Sequence, residues 1–263
     1  MDMHQDLQKI CRAGRPSEPL AGRLAAGTLP APLPALVGIP QPADKHPEGD
    51  VWNHILLVVD HAAGIARREA LPADERDLLV LAALVHDLGK IAVTVVDSDG
   101  RVRSWKHEEA SVFLPPFRRL QETWPVSAEL ERKVTTLVEC HLPNARMQDT
   151  TPGEREVRRF LKRLGETGVP FHLARWLIAA DVSGRGTGES DPLAAWLPVI
   201  EAIRREESRP APLVTGKDLV ALGVAPGPRF RALLGQAAAM ADQGWDRDRI
   251  LAELRSLIGS PTG

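Results

Sequence analysis

The chain has 263 residues, 43% of them apolar and 26% charged, with a net charge of −2 and two cysteines. That length suits one large domain, or one domain with a small appendage, of ordinary globular composition. The charge balance argues against indiscriminate nucleic-acid binding, no apolar run has the length of a membrane span, the start Met1-Asp2-Met3-His4 lacks a signal-peptide pattern, and Cys11 and Cys140 give no disulfide framework, so a cytoplasmic protein is expected.

From Gly14 to Pro47 the sequence is rich in Pro, Gly and Ala. Leu29-Pro30-Ala31-Pro32-Leu33-Pro34 suits neither a helix interior nor a central strand. Residues 1–45 are therefore expected as an N-terminal arm with at most short helices. Val51 to Glu69 carries Ile55, Val58, Val59, Ala62 and Ile65 at helical spacing, and His54 lies one turn before Val58 on that face. His61 shares the stripe roughly. A lone histidine there is more often a hydrogen-bonded core residue than a ligand.

Pro72-Ala73-Asp74 starts the next helix, with Asp74 as its expected N-cap. Leu78-Leu79-Val80-Leu81-Ala82-Ala83-Leu84-Val85 is almost wholly apolar and runs into His86-Asp87-Leu88-Gly89-Lys90, where Gly89 is expected to stop the helix. A carboxylate in such a dry place needs a partner, and a divalent metal is the most economical one. A His–Asp hydrogen bond at a helix end is the alternative reading of the dipeptide alone. Next, Val93 to Val96 and Val102 to Trp105 flank Asp97-Ser98-Asp99-Gly100, a hairpin with Asp-Gly at its turn. Turn chemistry explains Asp97 and Asp99 better than a metal-binding Asp-x-Asp pair does.

Lys106-His107-Glu108-Glu109 is expected to open a helix that Pro115-Pro116 interrupts. Ser127 caps the following one, whose stripe Leu130, Val134, Leu137 ends at His141, with Pro143 as its stop. Glu154 to Leu164 is amphipathic, and its Arg155, Arg158, Arg159, Lys162 and Arg163 face reads as a solvated face before a phosphate-binding one. Pro170 to Val182 carries Ala174, Leu177 and Ile178, with Asp181 closing the stripe. The glycines of Gly184-Arg185-Gly186-Thr187-Gly188 follow a helix instead of a strand, so they do not form a dinucleotide loop. Asp191-Pro192 starts a helix with Trp196, Val199, Ile200 and Ile203 on one side. Ser208-Arg209-Pro210-Ala211-Pro212 then marks the expected boundary between a domain over 46–207 and a helical tail over 208–263.

Four of the eight histidines, His54, His86, His107 and His141, stand at the ends or on the inner faces of buried helices. Asp87 and Asp181 do the same. Six buried polar groups need partners, and mixed imidazole and carboxylate donors suit Mn, Fe, Co, Ni or Zn. His54, His86, Asp87 and Asp181 would satisfy one ion. His107 and His141 would complete a second position beside Asp87, or would instead contact substrate phosphate with a single ion present.

His54, His86-Asp87 and Asp181 match the H…HD…D signature, and the chain resembles the HD-domain metal-dependent phosphohydrolases. His46-Pro47-Glu48-Gly49-Asp50-Val51-Trp52-Asn53-His54 looks like the entry to the HD domain of bacterial CCA-adding enzymes, the tRNA nucleotidyltransferases. His86-Asp87-Leu88-Gly89-Lys90, Asp99-Gly100-Arg101, His107-Glu108-Glu109 and Ala180-Asp181-Val182-Ser183-Gly184-Arg185 follow the same order. The tail from Leu213 to Gly223, with Pro226-Gly227-Pro228, is similar to the stretch after their HD domain. No Gly-Gly-x-x-Arg motif with a following Asp-x-Asp pair precedes His46, so CCA addition is not expected of these residues alone. Ile91-Ala92-Val93 also departs from the family's usual Pro and Thr after Gly89-Lys90.

The resemblance implies a mostly α, HD/PDEase-like helical bundle with one small β-hairpin and a C-terminal helical tail. It implies divalent transition metals, two ions in the fuller reading. The chemistry it implies is phosphohydrolysis, foremost of 2′,3′-cyclic nucleotides with phosphomonoesterase activity, on nucleotides or RNA 3′ ends, with tRNA as a possible partner and no membrane partner. Lys90, just past the ligand pair, and Arg185, just past Asp181, are expected to hold substrate phosphate. A deoxynucleotide phosphohydrolase on the same scaffold and a non-catalytic RNA-binding partner of a separate nucleotidyltransferase are the two other readings. Oligomeric state is not legible in the sequence.

Overall fold

A computed structural model describes residues 3–142, 152–188, 190–208 and 211–259. The expected stop at Pro143 and the boundary residues Arg209 and Pro210 lie outside the described residues. The chain divides into two compact units, residues 1–203 and 204–263, four residues from the boundary expected at 207.

The first unit begins with α1 (Gln5–Cys11) and α2 (Ser17–Ala25), followed by a 3-10 turn at Leu33–Leu36. The helices are short, as expected, but the segment is not a detached arm. Leu7, Ile10, Cys11, Leu20, Leu33 and Leu36 are buried in the same core as the helices that follow. Polar clamps fix it there. Arg12 holds Asp77 through Nε and Nη2, at 3.0 and 2.7 Å, and Ser17 Oγ donates to Asp60 Oδ2 at 2.6 Å. Prolines prevent a long helix without preventing burial of the leucines between them.

The central pair is α3 (Val51–Arg68) and α4 (Ala73–Val85). Asp50 caps α3 by accepting from the Asn53 amide. Asp74 does not cap α4. Pro72 is the N-cap, and Asp74 and Glu75 occupy the first turn, where carboxylates favour the helix dipole. Every residue from Asp77 to Val85 is buried, as an all-round apolar helix requires.

Gly89 does not end α4, which stops at Val85 with His86 as its C-cap. A tight turn leads into the four-residue α5 (Lys90–Val93) and then the hairpin of β1 (Thr94–Val96) and β2 (Val102–Ser104), paired antiparallel with Val95 opposite Arg103. Gly100 sits at φ 77 in the turn, the left-handed conformation that an Asp-Gly corner needs.

The helix expected from Lys106 begins later, as α6 (Ala110–Gln121). Lys106 has φ 57 and breaks the chain before His107. Pro115 and Pro116 do not interrupt α6. Phe113, Phe117 and Leu120 bury one face through both prolines, and Phe113 stacks on Phe117 with centroids 5.2 Å apart. That tertiary anchoring offsets the missing backbone donors.

α7 (Ala128–Cys140) is capped by Ser127 as expected, and α8 (Glu154–Glu166) and α9 (Phe171–Val182) follow. A π-turn at Ser183–Thr187 and a 3-10 turn at Ala194–Trp196 lead to α10 (Leu197–Glu207), so that helix starts later than Asp191 suggested. Gly184 packs against α3, where an added Cβ would sit 2.5 Å from Val58 Cγ2. Gly184 therefore serves packing, while Gly186 and Gly188 take φ 73 and 96 in the turn itself.

The second unit holds α11 (Gly216–Ala221), α12 (Pro228–Asp242) and α13 (Arg247–Gly259). Its own core is Leu219, Leu233, Ile250, Leu251 and Leu254, with Val214 and Ala237.

Candidate metal centre

Six helix or turn positions of the first unit bring buried polar side chains together. His54 comes from the first turn of α3, His86 and Asp87 from the end of α4, His107 from the turn before α6, His141 from the end of α7 and Asp181 from α9. All six are buried. The rings form a chain, with centroids 5.5 Å apart for His54–His86, 5.1 Å for His86–His141 and 5.5 Å for His107–His141.

Asp87 is the hub. Its Oδ1 lies 3.0 Å from His107 Nε2, and its Oδ2 lies 3.4 Å from His86 Nε2, 3.9 Å from His54 Nε2 and 2.8 Å from Lys90 Nζ. Asp181 Oδ1 lies 3.0 Å from His54 Nε2 and 3.9 Å from His86 Nε2. Three of the histidines share one local device. His86 Nδ1 meets the Ala83 carbonyl at 2.8 Å, His107 Nδ1 the Ser104 carbonyl at 2.9 Å, and His141 Nδ1 the Val138 carbonyl, each three residues back. A carbonyl accepts only, so Nδ1 must carry the proton and donate it. In the neutral ring Nε2 is then left as a lone pair aimed inward, the state a metal ligand requires.

His86 Nε2 and His107 Nε2 are buried without a hydrogen-bond partner, although Asp87 oxygens lie 3.4 and 3.0 Å away. Lone pairs gathered at such distances without a proton between them repel unless a cation sits among them. Among the described residues three donor groups exist, His46–Glu48–His54, His54–His86–Asp87 and Asp87–His107–His141, each with its ligand atoms within 4.8 Å of one another. The last two are wholly buried and share Asp87, and their residues fit divalent metal.

The electrostatics agree. Burial acts to raise the Asp87 carboxyl, but the adjoining His86 ring, the Lys90 ammonium and the His107 contact outweigh it and hold it well below the usual range. Asp181 is held low in the same way, against burial, by His54, His86 and Arg185. Burial, with His86 and His107 alongside, pushes the His141 imidazole down to about 3, so it is neutral. Burial also opposes charge on His54, yet Asp181 and Glu48 raise it to about 9.

Lys90 does not reach freely outward. Its Nζ donates to Asp87 Oδ2 and Gln41 Oε1, both at 2.8 Å. Arg185 turns back to Asp181 Oδ2 at 3.2 Å, while its Nε is buried without a partner. Two residues outside the expected ligand set belong to the site. Gln41, in the Pro-rich segment, meets Lys90, and Glu48, six residues before His54, meets its ring. His61 is half-buried outside the cluster. It lines a cleft of about 710 Å³ together with Arg15, Asp60, Arg175 and Asp191. The arginines there already pair with the carboxylates, Arg15 with Asp60 and Arg175 with Asp191. Cys140 is buried, and burial pushes its thiol up to about 11, which suits packing and not ligation.

The HD domain family matches residues 51–195. The chain belongs to that family, within the superfamily of metal-dependent phosphohydrolases. It is similar to the multifunctional CCA protein of Xanthomonas campestris pv. campestris, 30% identical over 256 residues that cover 96% of this chain and 56% of that protein. The multifunctional CCA protein of Burkholderia mallei is 32% identical over 185 residues, 69% of this chain and 41% of that protein. This HD chain thus spans about half the length of the curated relatives it matches. No helix of the described residues is long and apolar enough to cross a membrane.

Proposed function

We propose that the chain is a metal-dependent phosphohydrolase whose foremost substrates are 2′,3′-cyclic nucleotides and RNA 3′ ends, with phosphomonoesterase activity on the products. The observation that supports it best is the pair of donor groups sharing Asp87, with His86 Nε2 and His107 Nε2 left unpartnered. In this reading His54, His86, Asp87 and Asp181 hold one ion, and Asp87, His107 and His141 a second. Mn, Ni, Co and Fe suit the donor set. When bound, such ions lower the pKa of water and stabilise charge on phosphoryl oxygens.

Lys90 neutralises Asp87 and brings a cation to the edge of the ligand cluster, where a phosphate oxygen can replace its Gln41 contact. Arg185 orients Asp181 and keeps Nε for a substrate oxygen. Water adds to phosphorus, and one P–O bond to the ribose breaks. The relatives' printed name, multifunctional CCA protein, is the reason to place the substrate in RNA chemistry, with tRNA as a partner and the cytoplasm as the compartment.

A matrix of metals against substrates tests this. Mn²⁺, Ni²⁺, Co²⁺, Fe²⁺ and Mg²⁺ are each paired with 2′,3′-cyclic nucleotides, 2′- and 3′-mononucleotides and deoxynucleotides. Turnover of the cyclic esters above the rest is expected. A preference for deoxynucleotides would move the assignment to a deoxynucleotide phosphohydrolase. Full activity after exhaustive chelation would sink the metal reading.

A further inference from the structure

Three of the clustered histidines are oriented by backbone carbonyls. His54 is not. Its Nδ1 lies 2.8 Å from Glu48 Oε1, and the same oxygen lies 2.7 Å from His46 Nδ1. The Glu48 side chain is only 4% exposed, and its second oxygen is buried without a partner. A buried carboxylate has replaced the neutral acceptor used at the other three positions.

The loop that carries Glu48 is anchored without help from the cluster. Asp50 accepts from the Gly38 amide at 2.6 Å and from the Asn53 amide at 2.9 Å. Gly49 takes φ 107, a conformation costly for a side chain, and turns the chain into α3. Glu48 is therefore held behind His54 before any ion is present.

We propose that Glu48 is a positioning residue: through His54 it sets the metal affinity of the position framed by His54 and Asp181. The inference rests on the metal-centre reading above. A carboxylate behind an imidazole fixes its tautomer and makes the far nitrogen a stronger donor than a carbonyl does. The contact at His54 lies outside hydrogen-bond alignment, so the charge of Glu48 matters more than its direction. The two positions then differ in charge. The first has Asp87, Asp181 and, behind them, Glu48. The second shares Asp87 but has Lys90 Nζ 2.8 Å from that carboxylate and no other acid in its donor group. The position at His54 is the tighter one.

Calorimetric titration of the metal-free full-length chain with Mn²⁺ tests this, with Glu48→Gln alongside, since glutamine keeps the size and removes the charge. The wild type is expected to take two ions of unequal affinity. Glu48→Gln should weaken the tighter one about tenfold to a hundredfold, the range for loss of such a supporting carboxylate, and leave the weaker one unchanged. Equal weakening of both ions marks a merely structural role and overturns the proposal, as does no weakening. A third ion in the wild type that Glu48→Gln abolishes also overturns it, by making Glu48 a ligand. A wild type that takes one ion defeats the two-metal reading and not this one, provided that Glu48→Gln still weakens that ion. If Glu48→Gln does not fold, Glu48→Asp replaces it. That variant keeps the charge but draws it back from His54 by one methylene, so the tight ion alone should weaken, by less than Glu48→Gln would cause, and equal weakening of both ions or of neither would overturn the role.

Discussion

The two units are built on opposite terms. Residues 204–263 enclose a core of aliphatic side chains, and among the described residues none of the buried polar or charged ones lies there. Residues 1–203 bury His54, His86, Asp87, Lys90, His107, His141 and Asp181 close together. A buried polar cluster opposes folding unless its charges are answered. The second unit is thus explained by burial of apolar surface. The first carries a cluster that only a ligand makes sense of, and substitutions should separate the two kinds of construction.

The largest effect is expected from Asp87→Ala. It removes the group common to both donor sets and leaves the Lys90 ammonium buried with only Gln41 as partner. Breaking a buried pair in this way costs about 3–5 kcal/mol. Metal content by elemental analysis should fall to background and turnover should vanish. A folded Asp87→Ala protein that keeps its metal would show that the cluster is held by hydrogen bonds alone.

Gly89→Ala comes next. Gly89 has an ordinary helical φ of −61, so its role is close approach and not backbone freedom. A Cβ there would lie 1.9 Å from the His107 carbonyl oxygen. The turn carrying His107 must move away, while His54 and Asp181 stay on their helices. One of the two ions should be lost and the other kept. Retention of both ions, measured by stoichiometry, would show that His107 is not a ligand.

This glycine also shows where the sequence stops being legible. His54 and Asp181 lie within helices, and their apolar stripes located them. Local rules place Asp74, Gly89 and Pro115-Pro116 otherwise than the structure does. α4 is capped two residues earlier, at Pro72, the close approach of the His107 backbone requires Gly89, and the Phe113–Phe117 face carries α6 through two prolines. Burial of Leu20, Leu33 and Leu36 is invisible to periodicity because prolines cut the segment too short for a stripe. Glu48 and Gln41 went unread for a related reason. Each acts on partners that a loop brings to it, Glu48 on His46 and His54 and Gln41 on Lys90 and the Gly49 carbonyl, and neither is on a helix face.

A smaller effect is expected from Lys90→Ala. With ions bound, Asp87 has other positive partners, so metal content should stay at the wild-type level. The loss should fall on kcat/KM, about tenfold to a hundredfold for one charged contact to phosphate. Loss of metal in step with activity would make Lys90 a support for Asp87 and not a substrate contact.

The smallest effect on chemistry is expected from Ile250→Ala, which tests the other side of the comparison. Ile250 is fully buried in α13 beside Leu254 and Leu219. Truncating it removes apolar contacts and leaves a cavity, at about 2–5 kcal/mol. Hydrogen exchange should speed up across α11 to α13, because a core of seven residues has few contacts to redistribute that loss. Metal stoichiometry and turnover of a mononucleotide should not change, since none of these residues belongs to a donor group. A fall in mononucleotide turnover would mean that the second unit takes part in the reaction. A fall confined to RNA substrates would instead give it a part in holding the rest of the RNA. The two substrates therefore have to be compared in the same variant.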